Sequence, residues 1–151
     1  MVTNEEIADY VDAKFKEMGN GSNKIKVVLK EENQPARVTE ISNNLSCFQG
    51  FVGGLIDMTS VPGMEGKVDV ICNDEFLFNG SSPNVMRPEC DHIMGGNLIF
   101  VGYNPEDGSS ISLTDEQIEK VIDYIDKNQV QDMDFHEAFE RLQEKKVEAE
   151  L

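Results

Sequence analysis

The chain has 151 residues, 39% of them hydrophobic, and a formal net charge of -16 from 29 acids against 13 bases. That is enough apolar residue for one compact domain, so global disorder is excluded. The negative field disfavours a phosphate backbone or an anionic membrane as a direct partner. Lys24, Lys26 and Lys30 are the best candidate for a local basic patch, and they sit beside Glu31 and Glu32.

The opening "MVTNEEIADY" has neither a basic n-region nor an apolar run, so no signal peptide is expected. Three cysteines, Cys47, Cys72 and Cys90, form no disulfide framework and read as reduced thiols of a cytoplasmic protein. A helix is predicted within 1–22, where Thr3 and Glu6 form a capping box and Ile7, Val11, Phe15 and Met18 recur at helical spacing. "KIKVVLKE" alternates Ile25, Val27 and Leu29 with polar positions, as a half-buried strand does. "ARVTEI" returns it as a hairpin. "NNLSCFQGFVGG" predicts a short helix with Leu45, Phe48, Phe51 and Val52 inward, ended by Gly53-Gly54.

"LIDMTSV" and "KVDVICN" flank the Pro/Gly turn "PGMEG" and predict a second hairpin. The stretch "NDEFLFNGSSPN" then reads as the end of a strand and an irregular turn. Its polar groups, Asn73, Asp74, Glu75 and Asn84, together with Gly53 and Gly54, are the candidate ligand-binding residues. "NLIFVGY" is apolar on both faces and predicts a central strand.

Two further helices follow. Thr114 and Gln117 form a capping box before Ile118, Val121, Ile122 and Ile125. Asp134 and Glu137 form another before Phe135, Ala138, Phe139 and Leu142. The tail "QEKKVEAEL" reads as charged and frayed. Each helix has one apolar stripe to bury, either on the middle domain or in a homodimer through the flanking helices. Residues 104–151 hold fourteen acids against five bases. Asp115, Glu119, Asp123 and Asp126 share one helical face and are the candidate partner-binding residues, suited to a basic protein.

Chemistry finds little support. Asp74 and Glu75 are adjacent and point apart on extended chain, which suits no shared acid–base step. Cys72, Asp74, Cys90 and His92 are metal-ligand types but lack the close cysteine pairs of structural zinc, so no metal and no cofactor is expected. His92 near Cys90 has no third group to orient it, and His136 lies on a polar helix face. The chain is expected not to be an enzyme.

Residues 24–103 resemble a small family of domains of unknown function. The resemblance rests on "IKVVLKEE", "FVGGLID", "VDVICNDE", the Pro83-Asn84 pair and "DHIMGGNLIFVG", in that order. It implies a protein of bacterial phages, plasmids or conjugative elements, mostly of gut Firmicutes, with no activity to carry over. Three positions depart from the family pattern. Phe76-Leu77 stands where Gly-Lys is usual, and Val85 stands where a base is usual.

The fold class expected is α+β: a mostly antiparallel sheet with one short internal helix, flanked by N- and C-terminal amphipathic helices. The parts are an N-terminal helical flank over 1–22, an α+β core over 24–104 and a C-terminal helical flank over 112–151. The expected function is that of an acidic, non-catalytic accessory protein that binds another protein. The alternative is a small-molecule or nucleotide binder using the 73–84 loop.

Overall fold

The computed structural model describes residues 23–150, with side chains through 148. The helix expected within 1–22 lies outside the described residues.

The chain folds as α+β around an antiparallel sheet. β1 (Lys24–Lys30) pairs antiparallel with β2 (Arg37–Ser42), from Lys24 opposite Ser42 to Leu29 opposite Arg37. Asn33, at φ 59°, turns the chain between them. α1 (Leu45–Val52) follows. Asn44 caps it by accepting from the Cys47 N–H at 2.8 Å, and Gly53 ends it in the left-handed conformation at φ 86°. β3 (Ile56–Ser60) and β4 (Val68–Asn73) form the second expected hairpin. β7 (Leu98–Tyr103) lies in the centre, giving the order β2-β1-β7-β4-β3, with β8 (Ser110–Ile111) paired to the end of β7.

Strict alternation splits this sheet into two faces. Ile25, Val27, Leu29, Ile71, Ile99 and Val101 point one way, and Phe48, Phe51 and Val52 of α1 cover them. Val28, Val68, Val70, Leu98 and Phe100 point the other way. That second face is covered by a separate two-stranded hairpin, β5 (Pro83–Arg87) and β6 (His92–Gly95), and by α2 (Asp115–Asn128). α3 (Phe135–Glu150) packs on the far side of the hairpin, with Ala138 and Leu142 against Met86, Ile93 and Val130. The α2 and α3 stripes are therefore buried on the chain's own hairpin and sheet.

Both C-terminal helices start where their caps predict. Thr114 and Gln117 make the reciprocal capping box of α2. The Glu137 N–H donates to Asp134 Oδ1 at 2.8 Å at the start of α3. Ile118, Val121 and Ile125 of α2 join the main core, and full burial of each such side chain is worth about 1.5–3 kcal/mol. α2 is thus a working part of the core layer.

Four local expectations are corrected. Lys30 is 0% exposed: the hairpin β5–β6 roofs the end of β1, so the supposed solvent side of that strand is interior and the basic patch loses a member. Leu45 and Phe139 are exposed, because each sits at the edge of its helical stripe, beyond the reach of the layer beneath. Pro83 and Asn84, read as the end of an irregular turn, open a hairpin over 83–95. Pro83, Asn84, Val85 and Met86 are all buried, so β5 shows no polar–apolar alternation to betray it. The tail is helical through Glu150 rather than frayed, and Lys145 and Lys146 contact the Lys127 carbonyl and Asp91.

Candidate functional site

Asn73, Gly53 and Gly54 are brought together, but as a clasp. The carboxamide of Asn73 donates from Nδ2 to the Val52 carbonyl at 3.1 Å and accepts at Oδ1 from the Glu75 N–H at 2.7 Å. Asn97 donates to the neighbouring Phe51 carbonyl at 3.3 Å and accepts from the Glu32 N–H at 3.1 Å. Two buried asparagines thus satisfy the last carbonyls of α1, which no helical N–H reaches. A side chain on Gly54 would meet Asn73 Nδ2 at 3.0 Å, so this corner closes only on a small residue.

Asn84 does the same work between layers. It is fully buried. Its Nδ2 donates to the Lys30 and Gly96 carbonyls, both at 2.8 Å, and its Oδ1 accepts from Lys30 Nζ at 2.7 Å. Its own carbonyl accepts the Val130 N–H at 2.9 Å. One residue therefore ties β1, β6 and the α2–α3 connection together. Burial lowers the Lys30 pKa, with the Glu31 charge opposing. Asp74 and Glu75 face solvent. The far end of the loop, Ser81 to Pro83, lines a depression of about 350 Å³ shared with Asp132 to Phe135. Of the departures from the family pattern, Phe76 and Val85 are core residues, while Leu77 is exposed.

The thiols and histidines do not assemble. Cys72 is buried, and desolvation, with Asp57 and Asp74 adding, pushes its thiol up to about 11. Cys90 is exposed, its Sγ 3.7 Å from the Arg87 carbonyl. His92 stacks edge-on against Phe76 with centroids 5.8 Å apart, and desolvation, then the Arg87 charge, lowers its pKa. His136 lies on the exposed side of α3, 3.0 Å from Glu140. Among the described residues no three His, Cys, Asp or Glu side chains converge as a metal-binding group.

All four acids of the α2 stripe, Asp115, Glu119, Asp123 and Asp126, are exposed. Asp123 pairs with Lys127 at 2.8 Å, and Asp115 lies 3.8 Å from Lys26. Glu116, beside the stripe, pairs with Lys120 at 3.3 Å. A second acidic row, Glu137, Glu140, Glu144 and Glu148, borders a groove of about 490 Å³ along α3.

A larger cleft, of about 720 Å³, opens where α2 and the second half of α3 meet two turns. Pro62 to Met64 supply one turn and Pro88-Glu89 the other. Tyr124 reaches across it: its hydroxyl donates to Glu89 Oε2 at 2.9 Å and lies 3.4 Å from the Met86 carbonyl. Burial, with Glu89 adding, raises the Tyr124 pKa. Behind the turns, Arg87 fastens the hairpin to β3 through Thr59 Oγ1 at 3.2 Å and the Ser60 carbonyl at 2.8 Å. Sequence reading misses this cleft, since its walls come from four separate segments. The signal available was the Lys145-Lys146 pair in an otherwise acidic tail.

No helix among the described residues is long and apolar enough to cross a membrane. No curated protein and no solved structure matches the chain. One family model does match, over residues 25–126, from β1 into the last turn of α2. The chain therefore belongs to the DUF3846 family, a domain of unknown function.

Proposed function

We propose that this protein is a non-catalytic accessory protein of a mobile genetic element, working in the cytoplasm by binding another, basic protein. Host-defence proteins are the class of partner that the resemblance suggests. The observation that carries the reading is the outer face of α2. Asp115, Glu119, Asp123 and Asp126 all face solvent, while Ile118, Val121 and Ile125 lock the opposite face into the core. The acids are thus held in a fixed row on a rigid support, which favours fast, oriented encounter with a complementary charge. A protonated, buried Cys72 and a His92 turned onto Phe76 support action without a nucleophile.

The test compares the chain with a variant carrying Asp115→Asn, Glu119→Gln, Asp123→Asn and Asp126→Asn. Both are used as bait at low and high salt, since exposed charges are screened beyond about 10 Å at 0.1 M. A basic protein retained by the wild type at low salt, and lost both with the variant and at high salt, is expected. Identical retention by the two baits rules the α2 face out.

A further inference from the structure

The cleft between α2, α3 and the two turns differs from the surrounding surface in three respects. The first is charge. Lys120, Lys127, Lys145 and Lys146 line it against only two lining acids, Glu89 and Asp123, in a chain of net charge -16. The second is shape and polarity. Pro62, Met64, Pro88 and Tyr124 give the same cleft a largely apolar lining beside those lysines. The third is an orphaned acceptor. Asn128 is 5% exposed and lines the cleft. Its Nδ2 is committed to the Tyr124 carbonyl at 2.8 Å, but its Oδ1 has no hydrogen-bond partner. Buried polar atoms in folded proteins are nearly always paired; this oxygen is itself covered, so a donor from outside reaches it by displacing part of the cleft wall.

These features specify one chemistry. The apolar wall takes a flat ring, as ligand sites with few polar groups commonly do. The unpaired carboxamide oxygen, once that part of the wall is displaced, takes an N–H on that ring. The ammonium groups take an anion. Lys127 and Asp123, Lys120 and Glu116, and Lys146 and Asp91 are exposed pairs. Such pairs are weakly held and can exchange a carboxylate for a phosphate. Lys145 already donates to the Lys127 carbonyl at 2.6 Å, leaving two of its three protons to offer. The volume, about 720 Å³, falls among ordinary ligand pockets.

We propose that this cleft binds a mononucleotide: the heteroaromatic base lies against Tyr124 and Met64 with an N–H on Asn128 Oδ1, and the phosphate meets the lysine rim. This proposal does not depend on the acidic face of α2 binding a protein.

The test is thermal unfolding of the full chain with AMP, GMP, CMP or UMP, beside the matching nucleosides and ribose 5-phosphate. At least one nucleotide at about 1 mM is expected to raise Tm by about 3 °C or more. The nucleoside and the sugar phosphate should each do less, because each satisfies only part of the site. Titration calorimetry should then find affinity weakened at least about tenfold in Lys120→Gln/Lys146→Gln, as for the loss of charge-assisted bonds. Both lysines are partly exposed, so the fold survives that change. Asn128→Leu should weaken the preferred nucleotide while leaving ribose 5-phosphate unaffected. Three results would each overturn the proposal: no shift with any nucleotide, a shift that ribose 5-phosphate reproduces in full, or a nucleotide affinity that the lysine pair does not alter.

Discussion

The buried carboxamides of Asn84 and Asn128 differ in one respect that separates scaffold from site. Asn84 spends both amide protons and its oxygen on Lys30 and Gly96, inside the chain. Asn128 spends one proton on Tyr124 and leaves its oxygen buried without a partner, in a residue that lines a cleft. A buried polar group whose partners all come from its own chain specifies how layers fit together. A buried polar group that its own chain leaves unpaired contributes no such tie. Read in isolation, Asn84 counted among the candidate ligand residues, and its three-dimensional partners make it a tie between layers.

The largest effect expected is at the scaffold pole. Asn84→Ala should cost about 3–5 kcal/mol in urea unfolding, because it leaves the buried Lys30 ammonium with the Glu31 carbonyl as its remaining partner and takes a donor from two carbonyls. Adding Lys30→Met should recover part of that loss by removing the charge. A cost under about 1 kcal/mol for the single change would mean the hub is ornamental. Next comes Gly95→Ala. Its new Cβ would lie 2.7 Å from both Phe135 Cζ and Phe76 Cδ2, which are packed against each other. Overpacking of about 1–3 kcal/mol is expected, read as a lower urea midpoint at unchanged slope.

A smaller effect concerns pH. His92 is lowered in the folded state by burial, so the unfolded chain takes up the proton first as pH falls. The unfolded chain then binds more protons, and stability falls with pH from about 6.5 down through the lowered folded value. Above that window the contribution is complete. Thermal melts from pH 7.5 to 5 should show a decline that is flatter in His92→Gln; equal slopes would place the titration elsewhere. The smallest effect belongs to the exposed face of α2. Glu119→Gln/Asp126→Asn should alter stability by no more than about 0.5 kcal/mol in the same urea assay, since neither side chain packs against the core. A larger loss would mean these acids belong to the scaffold, as Asn84 does.

Local pattern made most of the fold readable. Alternation in 24–30, Pro-Gly in 62–63 and the Thr114–Gln117 box each act through neighbours a few residues away, so the hairpins and α2 could be named from sequence. The hairpin 83–95 could not, because a layer buried on both sides leaves no polar–apolar rhythm. That same hidden layer is what buries Lys30 and turns Asn84 inward.

For the candidate site the division is sharper. The acidic α2 row was legible because helical spacing alone puts Asp115, Glu119, Asp123 and Asp126 on one face. The cleft was not, because Met64, Pro88, Tyr124 and Lys146 meet only after the sheet, the hairpin and both helices have packed.

By itself, then, the sequence determined the element types, the helix caps, the central place of "NLIFVGY" and the surplus of negative charge. All of these follow from short-range periodicity and composition. Only the tertiary structure decided which polar side chains are consumed as internal ties and which are left unpaired. Hydrogen-bond satisfaction is a property of groups far apart in the chain, as Lys30 and Asn84 are, and no local pattern encodes it.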